Sequence, residues 1–94
     1  MSTETEEMAI NIIVLQTGET IISQMEQLSV DIGEPDYLLT EPFLISRKLE
    51  QIITFSPWLI DYTNQNKFRI SSEKMITIAE PKPSILEKYK KMLK

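Results

Sequence analysis

Short apolar stretches broken by turn residues fill most of the chain, and helical spacing appears only near its end. Asn11 to Gln16 (NIIVLQ) is rich in β-branched residues, which favour extended backbone. Thr20 to Leu28 resumes the pattern, with Ile22, Gln24 and Glu26 on one side and Ile21, Ser23 and Met25 on the other. Between the two runs, Thr17-Gly18 supplies the conformational freedom of a tight turn, so an antiparallel hairpin is predicted. Ser29 to Asp36 (SVDIGEPD) combines glycine, proline and three acids and reads as a loop. Tyr37 to Ser46 and Ile52 to Tyr62 are two further apolar stretches, separated by the polar link Arg47 to Gln51. Each contains a proline, Pro42 or Pro57, which points to an edge, a bulge or a sharp bend. Thr63 to Asn66 is the next turn, Phe68 to Ile70 a short strand, Ser71 to Lys74 a turn and Met75 to Ala79 a last strand, stopped by Pro81 and Pro83.

From Pro83 the pattern becomes helical. Ser84 with Glu87 three residues on has the form of a capping box, and Pro83 suits a helix start. Ile85, Leu86, Tyr89, Met92 and Leu93 fall on one face, while Lys88, Lys90, Lys91 and Lys94 lie elsewhere, near the end of the helix dipole that favours cations. The predicted organisation is one domain over residues 1–94: an acidic flexible tail at 1–9, a β unit at 10–80 and a helix at 83–94.

Composition narrows the chemistry. The chain has 94 residues, no cysteine and no histidine. A disulfide scaffold and a thiolate metal site are thereby excluded, and the commonest general base and zinc ligand are missing. A domain of this size has little room for a water-excluding cleft, and there is no glycine-rich phosphate loop, so an enzyme is not expected. No cofactor is expected either. No stretch approaches the roughly 20 apolar residues of a membrane helix, and MSTETEEMAI lacks the basic start of a signal peptide. The expectation is a soluble protein of a reducing compartment, the cytoplasm.

Charge is segregated along the chain. Met1 to Leu44 carries nine acids and no lysine or arginine, and Arg47 to Lys94 carries ten basic residues against five acids. Either this is solvated surface, or acidic and basic parts occupy different faces or meet across a subunit boundary.

Leu15-Gln16-Thr17-Gly18 at the hairpin, a long second strand, two bent strands and then Ile70-Ser71-Ser72-Glu73-Lys74-Met75-Ile76-Thr77-Ile78 resemble the two motifs of the Sm-like (LSm) family. Pro57-Trp58, Phe68-Arg69-Ile70 and the basic C-terminal helix are similar to the Sm-like proteins of marine cyanophages. The resemblance covers roughly Ile10 to Glu80. It implies a mainly β fold, a strongly bent five-stranded antiparallel barrel with a C-terminal amphipathic α-helix. It further implies a homo-oligomeric ring of five to seven subunits, the smaller number favoured, that binds single-stranded RNA and acts in RNA processing or regulation. A structural or protein-interaction ring without RNA recognition is the alternative.

Two departures bear on the ligand. The loop after the second strand has Asp31 and Asp36-Tyr37 but no asparagine, and Ser71-Ser72 replaces the family's Arg-Gly. A guanidinium that could stack on a base and meet phosphate is therefore missing. The candidate RNA-binding residues are Tyr37, Arg69, Ser71, Ser72 and Lys74, with Tyr37 either a stacking platform or a packing residue. Asp31, Glu34 and Asp36 are hard ligands but lack EF-hand spacing, so no metal site is expected. Trp58 is expected as a core or interface anchor. The stripe Ile85, Leu86, Tyr89, Met92, Leu93 is expected to dock on the β unit or a neighbouring subunit, with a partner protein as the other possibility.

Overall fold

A computed structural model describes residues 9–47 and 52–93. The expected acidic tail, apart from Ala9, and most of the link after Arg47 lie outside the described residues. Among the described residues six strands form one antiparallel sheet: β1 (Ala9–Leu15), β2 (Thr20–Gln27), β3 (Tyr37–Arg47), β4 (Ile53–Pro57), β5 (Lys67–Ile70) and β6 (Met75–Ala79). A 3-10 turn (Ser72–Lys74) joins β5 to β6, and α1 (Pro83–Met92) follows. The order is β4-β3-β2-β1-β6, with β5 also on β3. No helix among the described residues is long and apolar enough to cross a membrane.

This corrects the expected five-stranded barrel in two respects. The strand order is open: β4 and β6 end it without pairing to each other. Among the described residues there are six strands rather than five, and the stretch expected to run from Ile52 to Tyr62 stops at Pro57 and turns, with Leu59 at a positive φ of 62°. Two short strands thus share one edge of β3, β4 against Phe43–Arg47 and β5 against Tyr37–Thr40.

Pro42 is the reason for the division. Ile22 faces Phe43 and Gln24 faces Thr40, so Ser23 alone stands opposite Glu41 and Pro42. That is a β-bulge, with Glu41 at φ 56° and Pro42 contributing no N–H to the ladder. The 58–66 loop is fastened to it: the Trp58 N–H donates to Pro42 O (2.9 Å) and the Glu41 N–H to Asn66 O (2.8 Å).

Both faces of the sheet are covered. Ile13, Leu15, Ile21, Met25 and Leu39 form a first core, closed by Tyr37, Trp58, Ile70 and Met75. Ile22, Phe43, Phe55 and Tyr89 form a second, under α1, with Ile85 and Leu93 against it. Alternation along β2 therefore sends Ile21 and Met25 to one core and Ile22 to the other. Residues 21–23 are all buried.

The start of α1 is a further correction. Lys82 is the N-cap, extended at φ −62° and ψ 150°, and no side chain caps the helix. Pro83 sets the start, since its fixed φ suits the first helical position and it holds the preceding residue extended. Ser84 falls within the first turn, so the expected capping box is not used. The helix ends at Met92, with Leu93 as its C-cap.

Candidate functional site

The 3-10 turn is where three separated segments meet. Ile70 closes β5 against Tyr37, and the turn then carries the chain across to β1. Ser71 holds it by accepting the Glu73 N–H on Oγ (3.2 Å), while the Lys74 N–H donates to Ser71 O (3.0 Å). From the hairpin side, Gln16 donates its backbone N–H to Lys74 O (2.9 Å) and its side-chain Nε2 to Glu73 O (2.7 Å). Gly18 makes that approach possible at φ 96°, a conformation that side chains disfavour.

From the other side comes the β2–β3 loop. The Leu28 N–H donates to Asp36 O (2.8 Å) at the base of the loop. Asp36 then accepts two hydrogen bonds from Ser72, from its N–H on Oδ1 (2.7 Å) and from its hydroxyl on Oδ2 (2.8 Å). These bonds, the backbone one first, hold the Asp36 carboxyl below its ordinary range. Asp36 is consequently an ionised latch and a poor base. Of the expected site residues, Ser71 bonds within the turn, Ser72 bonds to Asp36, and Tyr37 is half-buried against the first core. Arg69 and Lys74 are exposed.

Electrostatics around the turn are acidic on one side. A cleft of about 240 Å³ is lined by Asp31, Glu34, Asp36, Ser71, Ser72 and Glu73 among others, with no lysine or arginine in its walls. Lys74 lies in a different cleft, of about 420 Å³, with Leu15, Trp58 and Ile70. Trp58 meets Phe68 edge to face at 5.4 Å, and its indole N–H has no hydrogen-bond partner among the described residues. Among those residues, no group of three or more carboxylates, cysteines or histidines is placed to hold a metal ion.

A family model described as "Family of unknown function (DUF6561)" matches residues 8–94. The chain belongs to that family. No curated protein matches it.

Sequence reasoning placed Tyr89 on the docking stripe of this DUF6561 chain, and what it missed is the hydroxyl of that residue. Tyr89 is fully buried, its ring edge-on to Phe43 at 5.8 Å. Its hydroxyl accepts the Gln24 N–H (3.2 Å) and lies within donating reach of Glu41 O (2.8 Å) and Thr40 O (3.3 Å). These are backbone groups at the β3 bulge, where the ladder is interrupted. Burial is the main cause that raises the Tyr89 pKa, so the hydroxyl stays protonated and able to donate. The signal available in sequence was a polar-tipped aromatic on an otherwise apolar stripe, together with a proline inside a strand.

Proposed function

We propose that this chain is an Sm-like, ring-forming protein without catalytic activity, whose copies join through the edges of β4 and β6 and whose ligand is single-stranded RNA, in RNA processing or regulation. The observation that carries the ring is the open strand order, with two different edges at its ends. An exposed edge strand invites pairing, and joining one kind of edge to the other repeats until a cycle closes. Ile76 and Ile78 on β6 are 64% and 41% exposed in the single chain, apolar surface that a neighbouring subunit would cover. The Sm-like reading is supported by the hairpin motif at Leu15–Gly18 docking on the turn of the second motif through Gln16.

Native mass spectrometry at micromolar concentration tests the assembly. One closed species of five to seven chains is expected, and Ile76→Lys with Ile78→Lys should release folded monomers. A stable monomer of the unaltered protein would overturn it. A second reading, a structural or protein-interaction ring without RNA, is favoured by one observation: the turn that replaces the family's Arg-Gly faces a cleft walled by carboxylates. Fluorescence anisotropy with labelled oligo-U and oligo-A on the intact ring separates the two readings.

A further inference from the structure

We infer that single-stranded RNA meets this protein along the lysine-bearing face of α1 rather than at the 3-10 turn. The inference rests on the RNA reading above and gives it a different location. At the turn, Ser72 already gives both its N–H and its hydroxyl to Asp36, leaving neither free for a phosphate. Asp31, Glu34 and Glu73 stand around the same cleft. A phosphate entering there would meet like charge at close range.

The opposite conditions hold on α1. Lys82 at the N-cap and Lys88, Lys90 and Lys91 in the helix are all exposed, and they outnumber the one acid of α1, Glu87, which stands one turn before Lys91. Lys88 and Lys91, three residues apart, lie on the side that also carries Ser84, so the three form a track about 10 Å long at 1.5 Å per residue. The track starts beside a cleft of about 360 Å³ walled by Ile45, Ile53 and Ile85 and bordered by Arg47, Lys82 and Ser84, with Glu80 the one acid in its lining. The Lys88 ammonium lies 5.5 Å from the centre of the Phe55 ring, which sets the lysine towards β4.

The track is also held rigidly. Tyr89, on the inner face of the same helix, is fully buried and hydrogen-bonded to three backbone groups of the sheet. Lysines on an anchored helix approach phosphate with less loss of freedom than lysines on a flexible tail. The same packing argues against a membrane surface as the ligand. An interfacial helix needs its apolar face free, whereas here Tyr89, Ile85 and Leu93 are turned into the second core. A polyanion needs only the outer face, and RNA supplies the charge without apolar insertion.

The test is a salt series of anisotropy titrations with labelled oligo-U and oligo-A on the intact ring, whose assembly is checked by native mass spectrometry. Lys88→Gln with Lys91→Gln should weaken binding of both oligomers alike and flatten the log–log salt dependence by roughly 0.7 for each phosphate that is no longer neutralised. Lys88→Arg with Lys91→Arg should retain the slope. Lys74→Gln at the turn should leave it unchanged. If Lys74→Gln flattens the slope and the helix pair does not, the location on α1 is wrong while the RNA reading stands. If the unaltered ring binds neither oligomer at low salt, both fail. Co-sedimentation with vesicles of anionic lipid, abolished in the Lys88/Lys91 pair and unmatched by any RNA binding, would overturn the inference in favour of a membrane.

Discussion

Two of the polar ties that hold the later half of this chain to the earlier half serve one purpose by opposite means. At the 3-10 turn an ionised carboxylate, Asp36, grips Ser72 with bonds of 2.7 and 2.8 Å in the open. Under α1 a neutral hydroxyl, that of the fully buried Tyr89, meets three backbone groups at 2.8 to 3.3 Å, those of Thr40, which is buried, and of Gln24 and Glu41, which are half-buried. The shorter and charged tie is the one that matters less for stability. Water and salt compete for an exposed carboxylate, so little is lost when its partner goes. A buried backbone N–H or carbonyl has nothing else to turn to, and losing its partner costs its full desolvation.

The widest test of this contrast is to cut the chain after Pro83. Each buried apolar side chain removed takes away roughly 1.5–3 kcal/mol, and the helix supplies several to the second core. Their sum rivals the about 5–15 kcal/mol by which domains are stable at all. The truncated chain should lose its cooperative thermal transition by circular dichroism, and Leu86→Ser with Tyr89→Ser should resemble it. A truncated protein that melts as the full chain does would mean that α1 contributes no packing.

Removing only the hydroxyl isolates the tie from the ring that bears it. Tyr89→Phe keeps the ring against Phe43 but leaves Gln24 N–H and Glu41 O unpaired at the bulge. Urea unfolding should register a loss of about 1–3 kcal/mol, insensitive to added salt because no net charge is involved. A loss below a few tenths would show that water reaches the bulge.

Smallest of all is the effect at Asp36, and pH exposes it. Its folded pKa lies below the ordinary 3.8, so the latch contributes fully above that value and fades as pH falls through the folded pKa. The Ser72 amide proton, followed by NMR, should titrate with a midpoint below 3.8 while the Gln24 amide stays unmoved. Asp36→Asn should abolish the Ser72 titration and barely alter the urea midpoint. A midpoint at or above the ordinary value would mean that the two hydrogen bonds are not kept in solution.

Much of the architecture was legible from pattern because its causes are local. The β-branched run of Asn11 to Gln16 and the alternation of Thr20 to Leu28 mark two strands, and Thr17-Gly18 marks their turn, since Gly18 occupies a positive φ that other residues resist. The change to helical spacing after Pro83 is equally local. Pro42 signalled an edge, a bulge or a bend, and of these the structure has a bulge. The candidate site was legible only as a set of residue types. Ser71 and Ser72 could be named, but the Asp36 that Ser72 binds lies 36 positions away, and no periodicity links them.

What the sequence by itself determined is therefore the succession of strands, turn residues and helix, together with the charge imbalance between the halves, because each is a property of neighbouring residues. Tertiary structure alone decided that both faces of β2 would be buried, that one predicted strand would end at Pro57, and that Ser84 would leave the cap to the residue before Pro83. It also decided that the Tyr89 hydroxyl would complete a bulge whose Gln24 is 65 residues distant. The physical reason in this last case is that a backbone group at a bulge must be satisfied by whatever the folded chain brings within hydrogen-bonding distance, and, as with burial of a second face, that depends on the path of the whole chain rather than on any stretch of it.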